Sequence, residues 1–340
     1  MTATQVGAVE HATIADVAER AGVSIATVSR VLNRTTRVSD ETTTRVQKAI
    51  DELGFVPQAA ARHLASRKTS TIGLLLPGMG SEFFFPILTG IEAATRQAGF
   101  DLLIAIQPEE RPLVHTQLGT HNTDGLLIFG SLAGSSPLAQ FTRMNFPVVL
   151  LYHAAPPGSG ITSIQVENKN GAYRLVSHLI EVHGARRIAF LRGPEGHEDS
   201  GWREIGYRLA LAEHQLEFDP RLVEQGNFAE QGGRVAIQRL LKTGLQFDAV
   251  FAGDDATAIG ALAALNHAGL RVPDDVALVG FDDMPPSRYL NPPLTTVRAP
   301  TEQVGREAVK QLVRRIQTGQ AEAEVLLPTE LVIRQSCGCK

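Results

Sequence analysis

Two textures in one chain predict an all-α helix-turn-helix head followed by an α/β body of two doubly wound parallel-sheet lobes. Between residues 13 and 53 apolar side chains recur at helical spacing in three short runs, each opened by a capping residue. From Thr71 onward, nearly continuous apolar runs of strand length alternate with helical runs, as parallel strands covered on both faces require. The length of 340 residues is enough for about two to three domains, each with its own core.

The head is read element by element. Thr13 caps the first helix, with Asp16 three residues on as its reciprocal partner. Ile14, Val17 and Ala18 recur at helical spacing, and Gly22 breaks the pattern in Ala21-Gly22-Val23. Ser24 caps a second helix with Val28, Val31 and Leu32 as its apolar stripe. Ser39 starts a third, with Asp40 and Glu41 on its positive end. Val46, Ile50 and Leu53 form the expected buried face, and Gly54 ends it. Two helices joined by a tight glycine turn make a helix-turn-helix. Its second helix would carry Ile25, Ala26, Thr27, Ser29 and Arg30 at or near the exposed face, in reach of a base edge or a phosphate. A small helical bundle that binds nothing would share this pattern. Residues 57–65 form an alanine-rich stretch opened by Pro57, too short for a stable helix without a partner. Residues 66–70 read as a linker. The expected division is therefore head 1–56, hinge and linker 57–70, and body 71–340.

In the body, strands are expected at 72–76, 101–106, 126–129 and 148–151, then at 187–191, 249–252 and 276–280. Helices are expected at 83–97, before Asp124, and at 138–144, 169–182, 203–214, 230–241 and 256–268. A helix at 302–317 and a strand at 324–333 close the chain. The first lobe would take about 71–164 and 299–322, the second about 165–298 and 323–336. Ligands in such folds sit beyond the carboxyl ends of the strands, here in a cleft between lobes.

The 32 basic and 36 acidic residues give a net charge of −4, which hides an asymmetry. Residues 1–70 hold nine basic and seven acidic residues, leaving −6 on the remainder. No acid stands between Arg20 and Ser39, where Arg30, Arg34 and Arg37 lie. A basic head on an acidic body suits nucleic acid, although a solvated charged face would look the same. The apolar runs at 72–77 and 125–129 are far shorter than a membrane span, so no membrane partner is expected. Residues 1–10 lack a basic start and an apolar core, so a cytoplasmic location is expected. Cys337 and Cys339 cannot make a disulfide framework. With no metal-ligand spacing nearby they read as reduced tail thiols, and no metal or cofactor is expected. Gly78-Met79-Gly80 lacks the third glycine and the Gly-Lys-Ser of a phosphate loop, and no Gly-x-Ser-x-Gly elbow occurs. An enzyme is therefore not expected.

Thr13-Ile14-Ala15-Asp16-Val17-Ala18-Glu19-Arg20-Ala21-Gly22-Val23-Ser24, followed by Ala26-Thr27-Val28-Ser29-Arg30-Val31-Leu32-Asn33, closely resembles the DNA-binding head of the lactose- and galactose-repressor family. Leu53-Gly54-Phe55-Val56-Pro57, Ile72-Gly73-Leu74-Leu75-Leu76-Pro77, Thr123-Asp124-Gly125-Leu126-Leu127, and Asp282-Asp283 with Pro293-Leu294-Thr295-Thr296-Val297 continue the match, from about Thr13 to Ser336. The resemblance implies a homodimeric bacterial transcription regulator whose body is similar to a periplasmic sugar-binding protein. It places the helix after Ser24 in the major groove of a near-palindromic operator. Ile25 and Ala26 would then hold the base-reading positions, limited to a thymine methyl or shape, and Arg30 would make the polar base contact. Thr13, Thr27, Ser29 and Asn33 would suit phosphate or mixed contacts, with Ser24 beside them and Arg37 near the backbone. Leu64, with Ala61 on the same hinge, matches the leucine wedged into the minor groove by paired hinge helices. An effector that changes the spacing of the lobes could control that pairing.

By the same resemblance Arg203 is the ligand-binding arginine, Asp282 an acceptor for ligand hydroxyls, and Asp254 a polar ligand position. Asp255 reads as a helix cap. Phe83 and Phe84 would give an apolar wall, one of them by plain core packing. Tyr152 stands where many members have an aspartate and could stack on a sugar ring or a base; His153 follows it. His183-Gly184 reverses the family's order and reads as a surface difference. An arginine among carboxylates suits a polyol, because carboxylates accept hydroxyl hydrogens. The expected function is a ligand-responsive repressor of carbohydrate-utilisation genes. A regulator answering to a nucleoside or purine, or a periplasmic-type sugar-binding protein, would share parts of the pattern. No leucine heptad follows the last strand, so a dimer is expected.

Overall fold

The computed structural model describes residues 12–33, 36–55, 68–107, 118–132 and 135–340. The expected hinge at 57–65, with Ala61 and Leu64, lies outside the described residues, as does most of the stretch expected to hold a helix before Asp124. The chain divides into two compact units at Thr69 and Ser70, each described by itself below.

The head contains α1 (Ile14–Ala21), α2 (Ile25–Asn33) and α3 (Asp40–Leu53). Its caps are those the sequence spells. The Thr13 hydroxyl accepts the Asp16 N–H at 3.4 Å, and the Asp16 carboxylate accepts the Thr13 N–H at 2.7 Å. The Thr13 backbone and hydroxyl bonds hold the Asp16 carboxyl below its ordinary range. Ser24 and Ser39 accept the N–H groups of Thr27 and Thr42. Gly22 and Gly54 take the left-handed conformation, φ 62° and 58°, that ends a helix without a Cβ clash. Val17, Val28 and Val46 meet with no exposure at the centre, and Ala18, Ala49, Ile50 and Phe55 close around them. Leu53, expected inside, only borders this core, and Phe55 takes the place at its end.

The body begins with β1 (Thr71–Leu76), α4 (Phe84–Gln97), β2 (Asp101–Ile106), β3 (Gly125–Phe129), α5 (Ser135–Arg143), β4 (Val148–Leu151) and β5 (Thr162–Val166). It continues with α6 (Asn168–His183), β6 (Ile188–Arg192), α7 (Glu198–Glu213), β7 (Val223–Gln225), α8 (Glu230–Thr243), β8 (Ala249–Ala252), α9 (Asp255–His267) and β9 (Ala277–Val279). It ends with β10 (Thr296–Arg298), α10 (Thr301–Thr318), β11 (Glu324–Leu327) and β12 (Glu330–Val332). One sheet runs β11-β5-β4-β3-β1-β2 and a second β7-β6-β8-β9. Every pairing within these two sheets is parallel. The antiparallel pair β10-β12 stands apart from them. The chain passes between the two large sheets after β5 and returns for α10 and β11.

Two expectations are corrected. The strand expected at 324–333 is two strands: β11 pairs with β5 in the first sheet, while β12 pairs with β10. Pro328 separates them, because proline has no N–H for a ladder. The second lobe's tail therefore begins after Leu327, and the boundary expected at 164/165 falls inside β5. The run at 162–166 escapes an apolar reading because Thr162, Ser163 and Gln165 are buried polar residues. Their partners are distant in sequence: the Thr162 hydroxyl donates to the Glu322 carbonyl at 2.7 Å, and the Gln165 amide to the Glu324 carboxylate at 3.1 Å.

Glycine sets how closely the covering helices approach. A Cβ at Gly90 on α4 would collide with the Glu302 carbonyl on α10, and one at Gly305 with the Ile87 carbonyl on α4. The two helices thus touch backbone to backbone against Ile72, Leu127 and Val149 of the sheet. We expect Gly90→Ala to destabilise the body by about 1–3 kcal/mol through overpacking. The chain's one tryptophan, Trp202, lies in the body, so a urea titration followed by its fluorescence reads that unit. An unchanged midpoint would contradict the close crossing.

Candidate effector cleft and nucleic-acid interface

The carboxyl ends of the strands from both large sheets converge on one cavity of about 240 Å³. Phe83, Phe84, Tyr152, Arg203, Asp254 and Asp282, the six residues expected at an effector site, all line it. The first sheet contributes an aromatic wall. Tyr152 follows β4 and stacks on Phe129 with ring centroids 5.5 Å apart, and its ring meets that of Phe83 at a tilt, 5.4 Å away. Phe84 meets Phe129 edge-on at 5.1 Å. Both phenylalanines lean on the sheet's core and both reach the cavity, so neither is core packing alone. Tyr152 sits at φ 58°, a left-handed backbone that side chains avoid. Its hydroxyl is buried and has no hydrogen-bond partner among the described residues. Burial, with the charges of Asp282 and Asp199, pushes its pKa well above the ordinary tyrosine value, so it remains a phenol.

The second sheet contributes charge. Arg203 is 3% exposed and lies on α7, whose first turn begins at Glu198 instead of at Arg203. Its guanidinium meets the Asp282 carboxylate at 3.0 Å, donates to the Asn168 side chain at 2.8 Å and to the Gly253 carbonyl at 2.5 Å. It also lies 3.8 Å from the Phe281 ring centroid, a cation–π contact behind the polar ones. Asn168 in turn donates to Asp199 at 2.8 Å, so Arg203, Asn168 and Asp199 form one chain of contacts. Burial pushes Asp199 up to about 7 against the pull of Arg203. Burial likewise raises Asp254 to about 6, with Asp282 adding to it. Asp282 is also raised by burial, with Arg203 opposing.

The cap expected of Asp255 falls to Asp254, which also keeps its expected place at the cavity. Asp254, in extended backbone at φ −149°, is the N-cap of α9 and accepts the Thr257 N–H at 2.9 Å while also facing the cavity. Asp255 is not the cap. Already inside the helix and fully buried, it accepts from the Met284 N–H at 2.7 Å, the Ser287 hydroxyl at 2.5 Å and the Thr296 hydroxyl at 2.6 Å. It fixes the loop after Asp282, and burial raises it to about 8. His153 pairs with Glu198 at 2.8 Å, and the same carboxylate accepts the Ala154 N–H at 2.9 Å. The chain after β4 is thus tied to the start of α7. Sequence reasoning missed Asp199, Phe129, His197 and Phe228, which also line the cavity. Asp199 carried a readable signal, since it lies one helical turn before Arg203 and so shares its face.

In the head, Ile25, Ala26 and Arg30 are exposed on α2, and its cap Ser24, with Thr13 and Arg37 beside it, is exposed as well. Ile25, at 51%, is an aliphatic side chain left in solvent. Thr27 and Ser29 are half-buried, and the Thr27 hydroxyl bonds that of Ser24 at 2.9 Å. Arg30 and Arg37 border one shallow groove with Thr43. The Asn33 side chain lies outside the described residues. No helix among the described residues is long and apolar enough to cross a membrane.

Comparison with known proteins agrees with both units. Residues 13–58 match the model for bacterial regulatory proteins of the lacI family, and residues 176–337 that for a periplasmic binding protein-like domain. The transcriptional regulator CelR of Thermobifida fusca is 36% identical over 338 residues, covering 95% of this chain and 98% of that protein. The solved CelR–cellobiose complex superposes with a TM-score of 0.70 at 33% identity, over 96% of this chain and 99% of that one. The lac repressor dimer bound to operator and the anti-inducer ONPF gives a TM-score of 0.83 at 27% identity, over 96% and 99%. With a helix-turn-helix of the expected caps, two parallel sheets and a cleft at their carboxyl ends, this chain belongs to the lacI family of bacterial transcriptional regulators.

Proposed function

We propose that the chain is a cytoplasmic, homodimeric repressor that holds a near-palindromic operator and releases or tightens its grip when a sugar-class effector enters the cleft. The observation that carries the effector reading is the buried Arg203 network: one guanidinium, three carboxylates and an aromatic wall around a single cavity. Carboxylates take hydroxyl hydrogens, the guanidinium donates to ring or hydroxyl oxygens, and aromatic faces cover the apolar side of a sugar. The complex of CelR with cellobiose supports this class. A purine or nucleoside is the second reading, favoured by the stacked Tyr152 and Phe129 rings.

For the head, α2 lies in the major groove with Arg30 on a base edge, Ile25 and Ala26 against methyl groups, and Thr13, Ser24, Thr27, Ser29, Asn33 and Arg37 toward phosphates. Leu64 and Ala61 belong to the hinge. A second copy has a surface to cover: β2, at the edge of the first sheet, exposes Leu103, Ile104 and Ile106. The lac repressor dimer on its operator supports the same assembly.

Two variants separate the two halves of this account. Calorimetry against a panel of mono- and disaccharides and nucleosides should find one class that binds, and Arg203→Ala should abolish that heat while operator affinity persists. Leu64→Ala should do the reverse, weakening operator binding at least about tenfold, roughly 1.4 kcal/mol. Retained ligand heat in Arg203→Ala, or unchanged operator affinity in Leu64→Ala, would refute the corresponding role.

The cleft also predicts a pH dependence. Asp199 and Asp254 stand at about 7 and about 6, above the ordinary 3.8. A raised carboxyl pKa leaves stability intact at low pH and lowers it as pH rises through the folded value, because the buried group must then ionise. Hydroxyl ligands need the ionised acceptor, so effector affinity should grow from about pH 6 to about pH 8 with proton release. Equal affinities and no buffer-dependent heat across that range would contradict it.

A further inference from the structure

The carboxyl-terminal thiols, expected to stand without partners, have two imidazoles against them. His178 and His183 lie on the last turns of α6, and Cys337 and Cys339 on the segment after β12. The Cys337 sulfur is 3.6 Å from His178 Nε2, and the Cys339 sulfur is 3.7 Å from the same nitrogen and 3.4 Å from His183 Nε2. All four ligand atoms lie within 4.8 Å of one another.

These separations have a chemical meaning. Zinc binds thiolate sulfur at about 2.3 Å and imidazole nitrogen at about 2.0–2.1 Å in a tetrahedron. The sulfur–nitrogen edge of that tetrahedron is ~3.6 Å. The three sulfur–nitrogen distances of 3.4, 3.6 and 3.7 Å bracket this value. We infer that His178, His183, Cys337 and Cys339 form a closed Cys2His2 zinc site that clamps the carboxyl-terminal segment to α6.

The surroundings are built for it. Gly338 between the two thiols sits at φ 108°, a backbone that a side chain rarely adopts, and a Cβ there would press on the His183 ring at 3.0 Å. Cys337 is 2% exposed and belongs to the core of the second lobe. The Thr295 hydroxyl donates to its sulfur at 3.1 Å, an outer-shell bond that favours the thiolate. Two thiolates and two imidazoles are a set that zinc prefers over hard cations. With four protein ligands, no position is left for substrate, so the site is structural. Its place gives it leverage. The Ser336 carbonyl accepts the Leu278 N–H at 2.9 Å and its N–H donates to the Pro293 carbonyl at 3.0 Å, so the clamped segment also holds β9 and the chain before β10.

The test uses untagged full-length protein purified in reductant without chelator. Elemental analysis should return about one zinc per chain, and replacement by cobalt(II) should give the intense visible bands of tetrahedral thiolate ligation. Cys339→Ser and His183→Asn, both away from the effector cleft, should each lose the metal and the cobalt bands while keeping the far-ultraviolet circular dichroism of the parent. Chelation should lower the melting temperature of the parent and leave that of the variants unchanged. Absence of zinc together with absence of the cobalt bands would overturn the site. So would full metal content in both variants, or a Cys337–Cys339 disulfide in the reduced preparation.

Discussion

A single buried guanidinium organises the body. Arg203 meets Asp282 beyond β9, Gly253 beyond β8 and Asn168 at the start of α6, and it is carried by α7. One residue therefore fixes the relative placement of two strand ends and two helices. The arrangement is electrostatically unfinished. Three carboxylates share one full positive charge out of water, and burial raises all three toward the neutral form. A buried ion cluster of this kind contributes little stability compared with apolar packing of the same volume. Its presence at a cavity where both sheets present their carboxyl ends is better explained by a ligand whose hydroxyls complete the hydrogen bonds.

The same geometry explains how occupancy could be felt at a distance. The aromatic wall belongs to the first sheet and the charge cluster to the second, so a ligand bridging them has different contacts in different lobe spacings. Only such differential contact can shift an equilibrium between states. The His153–Glu198 pair ties the chain after β4 to the start of the helix that carries Arg203. A shift of α7 relative to the aromatic wall would therefore strain that pair.

The parts of this molecule that were legible in the sequence are those decided within a few residues. Thr13 and Asp16, Ser24, Ser39, Gly22 and Gly54 all act within one helical turn, and each takes the expected place. The six cleft residues followed from a family resemblance joined to the rule that ligands sit at strand ends. What stayed hidden depends on partners far along the chain. Strand β5 reads as polar because Thr162 and Gln165 find acceptors about 160 residues away. The roles of Asp254 and Asp255 turn on which residue keeps extended backbone, and adjacent identical side chains carry no trace of that. Asp199 escapes a reading that begins α7 at Arg203, because it then lies outside the helix. Cys337 and Cys339 appear alone in the sequence, since His178 and His183 stand more than 150 positions earlier. His183, read as a surface difference, is one of the two imidazoles against Cys339.

The central claim is that one cleft controls one DNA-reading head. The most direct measurement selects an operator from random duplex DNA with the full-length protein, then compares its affinity with and without a saturating concentration of the ligand found by calorimetry. The account predicts a near-palindromic site with a flexible pyrimidine–purine step at its centre, and an operator affinity that changes about 5- to 150-fold with the ligand. Operator must then change ligand affinity by the same factor. A selected site whose affinity is identical with and without ligand would contradict the account.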